Sequence, residues 1–119
     1  MTFFKHNIDW RAIIKRRVTI DPSTRVGPWV MIDGEAGTID IGKNSTVNAH
    51  CWIGAGRSKV KIGSDTRIGS GVKISCAAHN FSDPNKLIRE QGIKEGIDIV
   101  IEGDCWIGAN AVVLAGVHI

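Results

Sequence analysis

The residue whose chemistry stands out first is His79, which closes the run "ISCAAH" and precedes the polar segment "NFSDPNKLIREQG". Imidazole exchanges its proton near neutral pH, so a histidine beside a cleft can remove the proton of a hydroxyl group. Asp83 or a backbone carbonyl could orient the second imidazole nitrogen, and the sequence leaves both possibilities open. A surface histidine at a corner of the chain is the alternative interpretation of the same residue.

The elements that would position His79 follow from a six-residue repeat. Thirteen positions within this repeat are all Ile or Val: 20, 26 and 32; 41, 47 and 53; 62, 68 and 74; and 101, 107, 113 and 119. A period of six fits neither an α-helix nor an alternating strand. It fits a coil with three flat faces, whose stacked turns pair as parallel strands about 4.8 Å apart.

The four groups of anchors also predict where the coil is interrupted. They begin at residues 20, 41, 62 and 101, so the first two intervals are 21 residues and the third is 39. The excess predicts a loop at about residues 80–98, leaving the coil at one corner. A long excursion from a compact solenoid is usually functional. We therefore predict an all-β, parallel β-helix over residues 18–119, with residues 1–17 forming a cap on its first turn.

Composition argues against several function classes. The net charge of +3 is mild and the best charge run is residues 15–17, which does not favour a nucleic-acid partner. Lys5, His6 and Asp9 interrupt the start where a signal peptide would be apolar, and no apolar run reaches the roughly 20 residues of a membrane span. Three cysteines without metal-ligand spacing suit a reduced, cytoplasmic setting.

The repeat, the histidine, the loop and the block "IEGDCWIGANAVVLAGVHI" together resemble the hexapeptide-repeat acyltransferases. This family includes galactoside, maltose and nodulation-factor acetyltransferases, and the O-acetyltransferases of surface polysaccharides. The resemblance covers about residues 18–119, and "DPNKLIREQG" is most similar to the saccharide O-acetyltransferase branch. It implies a left-handed parallel β-helix and a homotrimer with active sites between subunits. Acetyl-CoA would be the co-substrate and a saccharide the acceptor, with no metal ion.

The same resemblance implies roles for particular residues. His79 falls at the position of the catalytic histidine, which would act as general base, and Asn48 falls at an acceptor-binding asparagine. We place Asp83 on the acceptor side as well, within the loop. The family's coenzyme-binding positions correspond to Trp106, Gly108 and Ala109.

Two features depart from the family pattern. Gly56 stands where galactoside-type members carry an acceptor-binding aspartate, which argues against that sugar. Family members usually continue beyond the position of Ile119, which is the first residue of a new hexad, so we expect the β-helix to be truncated at its C-terminal end.

Three alternatives to a saccharide O-acetyltransferase stay open at this point. One is a zinc enzyme resembling the γ-class carbonic anhydrases, with His50, His79 and His118 as candidate ligands. Repeat arithmetic places His118 one turn above His79, about 5 Å away between Cα atoms, although the loop lacks the second histidine typical of those enzymes. The others are a non-catalytic β-helix scaffold and, within the transferases, an amino-sugar N-acetyltransferase.

Overall fold

The repeat folds into short strands joined by tight corners. The computed structural model describes the backbone of residues 4, 5 and 7–119 and the side chains of residues 7–119. The strands are β1 (Phe4–Lys5), β2 (Ile8–Asp9), β3 (Ile13–Ile14), β4 (Val18–Ile20), β5 (Arg25–Val26), β6 (Met31–Asp33), β7 (Thr38–Ile41), β8 (Thr46–Val47), β9 (Trp52–Gly54), β10 (Lys59–Ile62), β11 (Arg67–Ile68), β12 (Lys73–Ser75), β13 (Ile99–Ile101), β14 (Trp106–Ile107) and β15 (Val112–Leu114). A single 3₁₀ turn, Ile88–Glu90, lies within the loop between β12 and β13.

Each turn of the coil contributes one strand to each of three faces. The first face is β2-β5-β8-β11-β14 with β1 antiparallel to β2, the second is β3-β6-β9-β12-β15, and the third is β4-β7-β10-β13. The strands within each of the three faces pair in parallel. The predicted fold class, an all-β left-handed parallel β-helix with one long loop, is confirmed. We call the bends after the three faces the first, second and third corners.

The core is a ladder of aliphatic side chains stacked from turn to turn. On the second face Ile32 pairs with Ile53, which in turn pairs with Ile74. Of the thirteen anchors, all but Ile20 and Ile119 are buried. Burying an Ile or Val side chain stabilises the fold by about 1.5–3 kcal/mol. Burial of these stacked aliphatic side chains is therefore a major contribution to the stability of the coil.

The coil begins earlier than the sequence pattern suggested. Ile8 pairs with Val26 and Ile14 pairs with Ile32, both in parallel. Residues 8–17 thus belong to the β-helix, which corrects the boundary placed after residue 17. The side chains of residues 1–6, the rest of the predicted cap, lie outside the described residues.

Variation in turn length is concentrated at the second corner. The paired registers show that the connection is four residues long from 14 to 18, seven from 32 to 39 and 25 from 74 to 99. The other two corners keep the hexapeptide spacing. The predicted loop is therefore an insertion at the second corner, where the number of connecting residues varies from turn to turn.

A buried carboxylate ties the first turn to the second. Asp33 is 4% exposed, and its carboxylate accepts hydrogen bonds from Arg16 Nη2 at 2.8 Å and from the N–H of Glu35 at 2.8 Å. The Arg16 hydrogen bond, followed by that of Glu35, holds the pKa of Asp33 below its ordinary value. The folded state thus favours the charged carboxylate.

We expect Asp33→Asn to lower the free energy of unfolding at neutral pH. Because the pKa is depressed by folding, this stability is fully present above the unfolded-state pKa of about 3.9 and is lost as pH falls through the folded-state pKa. Urea unfolding between pH 7 and pH 3 should show the two proteins converging below about pH 4. The exposed Asp40→Asn is the matched control, and a wild-type advantage that persists unchanged at pH 3 would contradict the assignment.

Candidate functional site

The loop is closed at its base by a short antiparallel neck. His79 bridges to Ile93, the N–H of Asn80 donates to the carbonyl of Gly92 at 3.0 Å, and the N–H of Lys94 donates to the carbonyl of Ala78 at 2.8 Å. Backbone pairing on both sides fixes the position of residue 79 at the base of the loop. The neck therefore fixes the backbone of the histidine at the base of the loop.

The His79 side chain is exposed at this neck. Within the described part of the chain its imidazole has no hydrogen-bond partner, so both ring nitrogens are accessible. This arrangement fits a base that must reach a substrate hydroxyl. Its role as general base stays a prediction.

Asp83 shapes the loop and does not hydrogen-bond to His79. Its Oδ1 accepts the N–H of Asn85 at 2.9 Å, which forms a local turn. The side-chain amide of Gln91 forms two hydrogen bonds with the backbone of Asp83 across the loop. The Asp83 N–H donates to Gln91 Oε1, and Gln91 Nε2 donates to the Asp83 carbonyl, each at 3.0 Å. The sequence did not reveal Gln91, which also donates to the Lys86 carbonyl at 2.9 Å and organises the loop.

Asn48 lies on a different corner, beside a groove on the first face. The exposed Asn48 follows Val47, and a groove of about 190 Å³ runs past it between Arg25, Pro28 and Thr46. An acceptor-binding role for Asn48 and for Asp83 stays a prediction.

Gly108 and Ala109 lie two turns above Asn48 on the same corner, and Trp106 precedes them on β14 of the first face, in register with Arg67. Register pairs Val47 with Ile68 and Ile68 with Ile107, which separates Asn48 from Gly108 by two turns, about 10 Å. The indole of Trp106 is 83% exposed, as expected for a residue that points away from the core.

Open space adjoins this upper corner. A Cβ added to Gly108 would meet nothing within 4 Å, and within the described chain the N–H groups of Gly108 and Ala109 have no hydrogen-bond partner. At the same corner the N–H groups of Asn48 and Gly69 each donate to a carbonyl of the next turn, so the Gly108 N–H occupies the position of a turn-to-turn donor. The Ala109 N–H, beside the exposed indole, can bind a carbonyl oxygen. Coenzyme binding by these residues stays a prediction.

The structure thus divides the predicted site residues into two groups. Asn48, Gly108 and Ala109 belong to the first corner and Trp106 to the strand β14 that leads into it, whereas His79 leads into the loop at the second corner. One face of the coil separates the two corners. Within one chain, a site that contained both groups would have to extend across that face.

The predicted stacking of His118 over His79 is wrong. His118 bridges to Val100 on the third face, and its Nε2 lies 3.2 Å from a carboxylate oxygen of Glu102. His79 belongs to the inserted segment and has Ile93 as its neighbour instead. Among residues 7–119, no three His, Cys, Asp or Glu side chains are grouped so as to hold a metal ion.

Sequence reasoning also missed an aromatic cluster on the first turn. The guanidinium of Arg11 lies 5.5 Å from the ring centre of Trp10 and 5.9 Å from that of Trp29, and its Nε and Nη2 each donate to the Asp9 carboxylate at 2.9 Å. Asp9 is buried, whereas both indoles are exposed. The only signal in the sequence is the proximity of Asp9, Trp10 and Arg11, and Trp29 joins them only when the turns stack.

Comparison of the chain with protein-family models, with curated proteins and with solved structures finds no match to any of them. In the part of the chain that the structure describes, no helix has the length and apolar character needed to span a membrane.

Proposed function

We propose that the chain is an acyltransferase that moves an acetyl group from acetyl-CoA to a hydroxyl of a saccharide, with His79 as the general base. The observation that carries the proposal is an exposed histidine fixed at the neck of a long loop on a hexapeptide β-helix. The free N–H of Ala109 and the exposed indole of Trp106, in the "CWIGA" block at residues 105–109, support it.

The chemistry requires one proton carrier and one oxyanion donor. His79 would take the proton of the acceptor hydroxyl while its oxygen attacks the thioester carbon. The N–H of Ala109 would stabilise the negative charge on the carbonyl oxygen of the tetrahedral intermediate, a donor typically worth about 10²–10³ in rate. Collapse of the intermediate forms the ester, breaks the carbon–sulfur bond and returns the proton from the imidazolium to the leaving thiolate.

The division of residues between two corners supports a homotrimer as the active form. His79 of one subunit would face Trp106 and Ala109 of its neighbour across the cleft between two coils. Three identical clefts follow from a cyclic trimer, since the same pair of surfaces meets at each interface. The acetyl donor and the saccharide would enter each cleft from its two ends.

Calorimetric titration of acetyl-CoA into the purified chain tests this proposal. We expect saturable binding at about one site per subunit, and affinity weakened about tenfold by Trp106→Ala because an exposed aromatic contact is lost. Trp10→Ala removes a comparably exposed indole at the opposite end of the coil and should leave the affinity unchanged. Absence of saturation with the wild-type chain would contradict the acetyltransferase proposal and favour a scaffold.

A further inference from the structure

The outer surface of the first face carries two arginines that the proposed transfer step does not use. Arg25 and Arg67 both pair in register with Thr46, one on each side of it along the coil axis. They are therefore two turns apart, about 10 Å between Cα atoms. Arg67 Nη1 donates to the carbonyl of Asn44 at 2.6 Å, which orients its guanidinium without neutralising it.

Two grooves flank this column and share Arg25 and Thr46 as walls. One, of about 190 Å³, extends from Arg25 to Asn48, and the other, of about 200 Å³, extends from Arg25 to Arg67. Neither lining contains an aspartate or glutamate. The ion pairs of the described residues involve Arg11, Arg16, Arg57 and His118, so neither groove arginine is paired.

The remaining lining groups are suited to hydroxyl groups. The grooves present the amides of Asn44 and Asn48 and the hydroxyl of Thr46. Two other polar side chains of the linings already have partners: Ser23 donates to the carboxylate of Asp21, which lies beside the second groove, and Asn7 donates to the carbonyl of Pro22. Amides and hydroxyls both donate and accept hydrogen bonds, as the hydroxyls of a sugar require. Unpaired guanidinium groups, by contrast, bind carboxylates through charge-assisted hydrogen bonds.

A flat aromatic surface adjoins one end of these grooves. Pro28 lines the first groove, and the next residue, Trp29, is 58% exposed. Trp29 has a φ of 59°, at a corner where other turns have His50, Gly71 and Asn110 in the same conformation. The corner geometry of the coil thus imposes the left-handed conformation at this position, and the side chain that occupies it here is an exposed indole.

From the two unpaired arginines, the acid-free lining and the adjoining indole, we infer that the first face binds an acidic saccharide with carboxylates on Arg25 and Arg67. This inference rests on the proposed function, because such a saccharide would be the acetyl acceptor. Asn48 would contact the sugar hydroxyls, and Trp29 would stack on the apolar face of a neighbouring ring. A ligand that spans both arginines must be longer than one sugar unit and carry at least two carboxylates.

Trigalacturonate and its fully methyl-esterified form are the matched probes, since they differ only in charge. Without acetyl-CoA, we expect the acid to bind at least about fivefold more tightly, and we expect rising salt to reduce this preference. Arg25→Gln and Arg67→Gln should each remove most of the preference. Lys61→Gln, on the third face, loses the same charge outside the grooves and should retain it.

The outcomes separate this inference from the proposed function. Equal binding of the two probes, no binding of either by the wild-type chain, or an equal loss in Lys61→Gln would overturn it. Competition by 3′,5′-ADP that depends on Arg25 would also overturn it, since the grooves would then hold the phosphates of the coenzyme. Carboxylate-selective binding in a chain that fails to bind acetyl-CoA would leave the saccharide site standing while the transferase proposal falls.

Discussion

Replacement of His79 by alanine should lower kcat for acetyl transfer by about 10²–10⁴, the usual contribution of a general base. The side chain is exposed and makes no hydrogen bond within the described chain, so its loss should leave the circular dichroism spectrum and the melting temperature unchanged. His118→Ala is the control, because its side-chain contact with Glu102 is exposed and such surface contacts have small energetic value. A His79→Ala rate within about threefold of wild type would remove the histidine from the mechanism.

A mixing experiment tests whether His79 acts across a subunit boundary. Gly108→Trp should fill the open space at the first corner and block the coenzyme without disturbing the turn. When Gly108→Trp and His79→Ala chains are unfolded and refolded together, random trimers should recover about a quarter of wild-type activity. Recovery indistinguishable from zero would show that each site is built within one chain.

The largest effect on stability is expected from Gly63→Ala. A Cβ at Gly63 would overlap the carbonyl oxygen of Glu102 on the next turn. The N–H of Gly63 also donates to the Ile101 carbonyl at 2.6 Å. The two turns therefore cannot move apart to relieve the overlap without losing this hydrogen bond. We expect a loss of about 3 kcal/mol or more, at the upper end of overpacking penalties. Urea unfolding monitored by circular dichroism measures it.

Gly108→Ala supplies the matched control for that substitution. The same methyl group at Gly108 meets open space, so its effect should stay within about 0.5 kcal/mol of zero. A Gly63→Ala protein that unfolds within 1 kcal/mol of wild type would show that adjacent turns separate more easily than the backbone contacts indicate.

The repeat made most of the fold predictable because a six-residue period has few structural solutions. The positions of Ile32, Ile53 and Ile74 specified both the inward face and the register between turns. The first turn escaped detection because it is 18 residues long rather than 21. Ile8 and Ile14 continue the spacing back from Ile20, but they fall out of phase with the longer turns that follow.

The candidate site was less predictable because its geometry depends on the insertion. Arithmetic on a repeat assumes that every residue has a partner one turn away, and residues of the loop have none. His118 was therefore assigned to the wrong neighbour. Two further contacts were not predicted because no local pattern indicates them. The hydrogen bonds of Gln91 to Asp83 join residues 8 positions apart, and the contact of Arg11 with Trp29 joins residues 18 positions apart.

The neck beneath the loop makes the insertion an exchangeable module. Pairing across residues 78–80 and 92–94 closes the loop on itself, and residues 95–98 then bond to the coil at Arg57, Ser58 and Lys59. The coil resumes its register at Ile99 against Val60. Lengthening a closed loop has a small entropic cost, about 0.6 kcal/mol for each doubling. Selection or engineering can therefore replace the loop segment between residues 80 and 92 as one continuous piece while the packing of the coil is kept.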